Sequence, residues 1–158
     1  MTDLPHETPA PLKVFTHHGR IGRLRYLAWT LLLVIAGMAA ALVTTVLRSI
    51  VPLLVGNVLT ALTGIAVMAV AFLIGARRLH DLGYSGWWWL LTLVPYIGGV
   101  LALLLAVLPG NALTNQYGPC PAVNSRAVKV IASMWLVMIA AVVVAGFMKD
   151  FQYLPRAH

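Results

Sequence analysis

Arg77-Arg78-Leu79-His80-Asp81-Leu82-Gly83-Tyr84-Ser85-Gly86-Trp87-Trp88-Trp89 links two long runs of apolar residues. The link holds two arginines, a histidine, one of the four acidic residues in the chain and three of its five tryptophans. Indole rings settle at headgroup level, and Lys and Arg flank the hydrocarbon of a bilayer. Such a mixture between apolar runs therefore marks a membrane surface and assigns the runs on either side to lipid.

Composition agrees. Of the 158 residues, 61% are hydrophobic and 9% are charged, whereas soluble domains average about 25% charged residues. Too few charges are present to cover the apolar surface in water, so lipid must solvate it. The expected class is an all-α polytopic transmembrane bundle. A polar and basic leader (1–25) precedes a single membrane domain (26–148), and a polar tail (149–158) follows it. Within the leader, residues 14–25 read either as a short helix lying in the interface or as an irregular basic segment. The first hydrophobic run is long enough to stay in the membrane rather than serve as a cleaved signal.

The net charge of +7 excludes no bilayer role and suggests no nucleic-acid partner, because the cations sit at the ends of apolar runs instead of on one face. Anionic headgroups are the expected partners, with a homo-oligomer or another membrane protein as further possibilities. Cys120 is the single cysteine. It forms no intrachain disulfide and has no His or Cys neighbour with which to hold a metal. No cofactor and no metal are expected.

Four apolar segments follow, over residues 26–47, 51–76, 87–108 and 128–148. A span needs about 20 apolar residues. The first two are joined by Arg48-Ser49-Ile50-Val51-Pro52 and predict an antiparallel hairpin. Gly56, Thr60 and Gly64 on the second, and Ala36/Ala40 with Gly37/Ala41 on the first, have the spacing that lets helix backbones approach closely in lipid. The third segment is interrupted by Pro95-Tyr96-Ile97-Gly98-Gly99. A proline removes a helix hydrogen bond, which leaves two forms: a kinked span, the expected one, or a re-entrant hairpin of two half-helices covered by protein.

Charge counting places the 77–86 link inside under both forms, with eight basic residues against three, and the N-terminus with it. It does not place the 109–125 loop or the C-terminus.

Asp81 lies four residues from Arg77 and three from Arg78, so one more helical turn after Ala76 lets either arginine pair with it. A carboxylate so placed would aim a guanidinium, and with His80 the pair would suit a phosphate oxygen. The plainer reading is a charge stop after a membrane helix. His80–Asp81 also has the makings of a general acid/base pair. Ser85, however, is explained by capping, and His17–His18 is not a helical ligand spacing, so no catalytic residue is expected and the chain is read as non-enzymatic. Tyr84, Trp87, Trp88 and Trp89 read as interface anchors, one of them free to face inward. The helix interiors carry no ionisable residue, which argues against an ion-coupled transporter. A small oligomeric pore or uncoupled carrier lined by Asn57 and Thr60 remains the alternative function.

Three motifs together resemble one family. Arg77-Arg78-Leu79-His80-Asp81 followed by Ser85-Gly86-Trp87-Trp88 is similar to the signature of the DUF805 family of bacterial inner-membrane proteins. Gly19-Arg20-Ile21-Gly22-Arg23-Leu24-Arg25-Tyr26 resembles the family's Gly-Arg-x-x-Arg-x-Glu-Tyr lead into its first helix. Pro109-Gly110 with Asn115-Gln116-Tyr117-Gly118-Pro119-Cys120-Pro121 resembles its Pro-Gly…Asn-x-Tyr/Phe-Gly-Pro-x-Pro loop. The resemblance spans about residues 15–121. Arg25 departs from the usual Glu, Cys120 from the common Asp or Asn, and the fourth helix is an addition to shorter members. The resemblance implies a bacterial inner-membrane location and no particular chemistry. It also adds Arg20, Arg23, Asn115 and Tyr117 to Arg77, Arg78, His80 and Asp81 as candidate headgroup- or partner-binding residues. The re-entrant form would bring all three motifs to one membrane face.

Overall fold

The computed structural model describes residues 19–152. Of the segment 14–25, read as either a short interfacial helix or an irregular basic stretch, residues 14–18 lie outside the described residues, as does the end of the polar tail; residues 19–22 are not helical and Arg23–Arg25 open the first membrane helix. Among those described there are four α-helices, one 3-10 helix and no strand.

Helix α1 (Arg23–Arg48) and helix α2 (Leu53–Asp81) form the expected antiparallel hairpin. They are long and apolar enough to cross a membrane. The 29 residues of α2 extend about 43 Å at 1.5 Å per residue, more than the roughly 30 Å hydrocarbon core. The extra length carries Arg77–Asp81 beyond the apolar part as a helical turn.

The small-residue spacing is used unevenly. Gly37 meets Val67 at ordinary contact distance, whereas Gly64 has nothing within 4 Å. Gly56 packs instead on Arg48 at the mouth of the hairpin. Most of the apolar surface of both helices faces outward, as lipid-solvated helices require.

Helix α2 ends in a Schellman motif. Gly83, at φ 86°, donates its N–H to the His80 carbonyl at 3.1 Å, and Tyr84 donates to Leu79 at 2.9 Å. A left-handed residue after the last turn is the usual way of satisfying terminal carbonyls, and glycine adopts it without steric cost.

The third apolar segment does not form the expected kinked span. It folds into a 3-10 helix (Gly86–Leu93), a turn at Val94–Tyr96, and helix α3 (Ile97–Val107) running back. Length explains the outcome. Eleven residues of α-helix and eight of 3-10 helix each reach about 16 Å, half of the hydrocarbon core. Pro95 cannot donate, and Tyr96 turns at φ 66°, so the chain reverses here. Thr92 and Gly98 are pressed so closely across the turn that a Cβ on Gly98 would overlap the Thr92 carbonyl. Protein covers the irregular backbone on one side: the 3-10 helix packs on α2, and α3 packs on α1 and the 3-10 helix.

In a 3-10 helix, residues three apart share a face. Gly86 and Trp89 are that buried face. Trp89 lies edge-on to Phe72, with centroids 5.6 Å apart, and fills the notch left by Gly75, where a Cβ would overlap the indole. Trp89 thus leaves the anchor set and joins the core with Ile21, Tyr26, Leu79 and Leu105. Tyr84, Trp87 and Trp88 remain exposed.

Helix α4 (Arg126–Gln152) packs along α1. The Trp135 indole N–H donates to the Leu27 carbonyl at 2.7 Å, so both helices begin at the same end of the molecule.

Candidate functional site: a buried arginine–aspartate clamp at the basic end

The extra turn of α2 presents Arg78 and Asp81 on one side, and Asp81 pairs with Arg78, three residues back, through Oδ2. The second partner comes from the leader. Arg20 Nε donates to Asp81 Oδ1 at 3.1 Å, and its Nη2 lies 3.0 Å from the same oxygen. All three side chains are buried. A carboxylate with two oxygens and about four acceptor sites suits two guanidinium forks.

The remaining guanidinium donors bind backbone carbonyls. Arg78 Nε donates to Leu105 O at 2.8 Å, and Nη2 donates to Leu108 O. These carbonyls sit at the last turn of α3, whose terminal acceptors have no intrahelical partner. A cation there also suits the negative end of the helix dipole. Arg78 therefore caps α3. Arg20 binds the following loop through Leu113 O at 2.7 Å, Gly118 O at 3.2 Å, and Asn111 O. One acid and two arginines thereby fasten four parts of the chain: the leader, the end of α2, the end of α3, and the 109–118 loop.

The loop completes the contact. Asn111 N–H donates to Asp81 O at 2.9 Å. Gly110 lies so close to the Asp81 carboxylate that a Cβ there would overlap it. Asn115 Nδ2 donates to the His80 carbonyl at 2.8 Å, while its Oδ1 accepts from Tyr117 N–H at 2.9 Å. That turn lays the Tyr117 ring flat on the His80 imidazole, with centroids 4.0 Å apart and planes 7° apart.

The three motifs noted in the sequence thus meet at one end. Arg20, Arg78, Asp81 and Asn115 are occupied with other parts of the protein, and His80 with Tyr117 forms a half-buried stacked pair beside them. Arg77 is buried, and its carbonyl accepts from Ile21 N–H at 3.4 Å. Arg23, in the first turn of α1, is exposed. Sequence reasoning missed Gly75 and the Leu105 and Leu108 carbonyls. It noted Gly110 within the Pro109-Gly110 pair of the loop motif, without its approach to Asp81. A carbonyl partner 27 or 30 residues away leaves no signal.

Charge is concentrated here. The described residues contain nine Lys and Arg. Arg20, Arg23, Arg25, Arg77, Arg78, Arg126 and Lys129 gather at this end, while Arg48 and Lys149 lie at the other ends of their helices. Asp81 is the single acid at the basic end among the described residues. No group of three or more His, Cys, Asp or Glu side chains able to hold a metal occurs among the described residues. The hydroxyls of Thr60 and Thr63 bond back to Gly56 and Leu59 of their own helix, so they present no donor across the bundle.

Comparison with known proteins agrees with these features. Residues 14–119 match the family described as "Protein of unknown function (DUF805)". The Escherichia coli (strain K12) inner membrane protein YhaH is 37% identical over 65 residues, which is 41% of this chain and 54% of YhaH. Inner membrane protein YhaI of the same organism is 36% identical over 108 residues, 68% of this chain and 87% of YhaI. The chain thus spans about half the length of YhaH and most of YhaI. No solved structure matches it. The matched region contains the leader arginines, the α2 turn and the loop that closes on it, and the chain belongs to the DUF805 family of membrane proteins.

Proposed function

We propose that this protein is a non-enzymatic, multi-pass module of the bacterial inner membrane whose basic end binds anionic lipid headgroups on the cytoplasmic side. The carrying observation is charge imbalance: seven cations and one acid at one end of the described chain. The single acid is already shared by Arg20 and Arg78. The positive-inside rule orients that end toward the cytoplasm, where the leaflet is negatively charged and each surface Lys or Arg adds about 1 kcal/mol of attraction.

The residues divide into two groups in this reading. Arg20, Arg78 and Asp81 form the frame, together with Asn115. The contact surface consists of the exposed Arg23, Arg126 and Lys129, with the half-buried His80–Tyr117 pair at its edge and Arg77 buried behind it. Tyr84, Trp87 and Trp88 set the depth of insertion. The frame keeps the re-entrant segment folded and holds the loop in place, so the exposed cations are presented from a rigid base.

The test is lipid retention. Purified from mixed phosphatidylglycerol and phosphatidylcholine, the protein is expected in native mass spectrometry to carry phosphatidylglycerol above its bulk fraction. The triple variant Arg23→Gln/Arg126→Gln/Lys129→Gln should lose that enrichment. Retention in bulk proportion by the unmodified protein sinks the proposal.

A further inference from the structure

Arg25 is buried on the first turn of α1, with 7% of its surface exposed. One arm of its fork, Nη2, donates to Val123 O at 3.1 Å. The other, Nη1, is buried and has no hydrogen-bond partner. Among the described residues no acid pairs with it. Among the described residues the acids are Asp81, which Arg20 and Arg78 already hold, and Asp150, in the last turn of α4 at the opposite end. A buried cation with one arm unpaired and no counter-ion beside it is costly, because burial removes the water that would otherwise stabilise it.

A second feature lies against it. Val123 precedes the first residue of α4 by three positions, so the bonded arm of Arg25 brings its guanidinium beside the segment that leads into a 27-residue helix. Ser125 caps that end: its Oγ accepts from Val128 N–H at 3.4 Å, and its carbonyl accepts from Lys129 N–H at 3.2 Å. The first-turn amides of a helix have no intrahelical acceptor, and the dipole there favours an anion. A guanidinium arm and helix N–H groups are complementary to the oxygens of a phosphate.

We infer that Arg25 and the N-terminus of α4 form a discrete phosphate-binding site at the basic end. It takes the phosphate of a lipid headgroup or a free phosphate. This site rests on the proposed basic, headgroup-facing end, but differs from the diffuse contact made by the exposed cations. A buried donor is screened by salt far less than a surface one, so one phosphate should stay bound when the rest are washed away.

The experiment uses the full chain in phosphatidylcholine nanodiscs doped with phosphatidic acid, washed in high salt and read by native mass spectrometry. One phosphatidic acid per chain is expected to survive the wash. Arg25→Gln should weaken its binding about tenfold or more, the loss expected for one charge-assisted hydrogen bond, while enrichment at low salt persists. Arg25→Lys keeps the charge and loses the fork, and should bind with intermediate strength. Contact between phosphorus and the arginine side-chain nitrogens of the unmodified protein, measured by solid-state NMR, serves if the variants fail to fold. Titration with inorganic phosphate separates the sources: competition with the lipid assigns a phosphate site open to solvent, and no competition assigns a headgroup site. Equal retention by the unmodified protein and Arg25→Gln overturns the inference and leaves the headgroup reading standing. Loss of all enrichment at low salt in the unmodified protein overturns the headgroup reading itself. Asp3 and Glu7 supply a control: Asp3→Asn/Glu7→Gln should retain the lipid. If that variant instead loses stability and the unmodified protein holds no lipid, the leader neutralises Arg25 and the site does not exist.

Discussion

Arg20 Nε and Asp81 Oδ1 meet at 3.1 Å across 61 residues of sequence. The contact joins the leader before α1 to the last turn of α2, and Arg78 shares the same carboxylate. The helices face lipid over most of their length, and both ion pairs that Asp81 makes lie at this end.

Asp81→Asn should therefore destabilise the whole basic end. It leaves two buried guanidinium groups without the carboxylate they share. Removing one member of a buried ion pair costs about 3–5 kcal/mol. SDS titration in mixed micelles should show the unfolding midpoint falling well below that of Arg23→Gln, a variant of an exposed cation. Equal midpoints would show that the clamp contributes nothing to stability.

Gly110→Ala tests how closely the loop must approach. A Cβ there overlaps the Asp81 carboxylate, and forcing extra atoms into a packed site costs about 1–3 kcal/mol. The expected result is faster hydrogen exchange at the Asn111 and Gly118 amides, with α1 unaffected. Unchanged exchange at Asn111 would mean that the loop accommodates the methyl group freely.

Trp89 and Trp87 should respond differently although they are two residues apart. Trp89 fills the Gly75 notch, and Trp89→Ala should cost about 3–5 kcal/mol. Trp87 is 71% exposed, and Trp87→Ala should change the depth or tilt of the protein in the bilayer while leaving the SDS midpoint nearly unchanged. Equivalent midpoints for the two variants would contradict the inward face of the 3-10 helix.

The fold-back of the third segment predicts sidedness. Cys120 is exposed, and its loop is fastened to the end of α2. An impermeant thiol reagent should reach Cys120 from the same side as Ser85→Cys in a Cys120→Ser background. In that background, Ile50→Cys at the α1–α2 hairpin should be reached from the opposite side. Labelling of Cys120 and Ile50→Cys from one side would restore a third crossing over 87–108.

Much of the architecture is legible in the sequence, because bilayer solvation acts residue by residue. Apolar runs of spanning length, the cations that stop them and the tryptophans beside them mark α1, α2 and the membrane surface without any knowledge of contacts. The fourth helix is visible in the same way. The motifs around Arg20, Asp81 and Asn115 stand out because polar residues are scarce in such a chain. The fate of the third segment is not visible locally. A proline and two glycines permit either a kink or a reversal, and the choice depends on Arg78 capping the carbonyls of Leu105 and Leu108 and on Trp89 entering a notch on α2. The use of each arginine is equally a tertiary matter. Arg20, Arg23 and Arg25 lie within six residues of one another, yet one grips Asp81, one faces outward and one is buried at the start of α4. Hydropathy determined where the chain meets lipid. Only the packing of distant segments decided which charges were taken inside, because burial and pairing depend on partners that the local sequence does not contain.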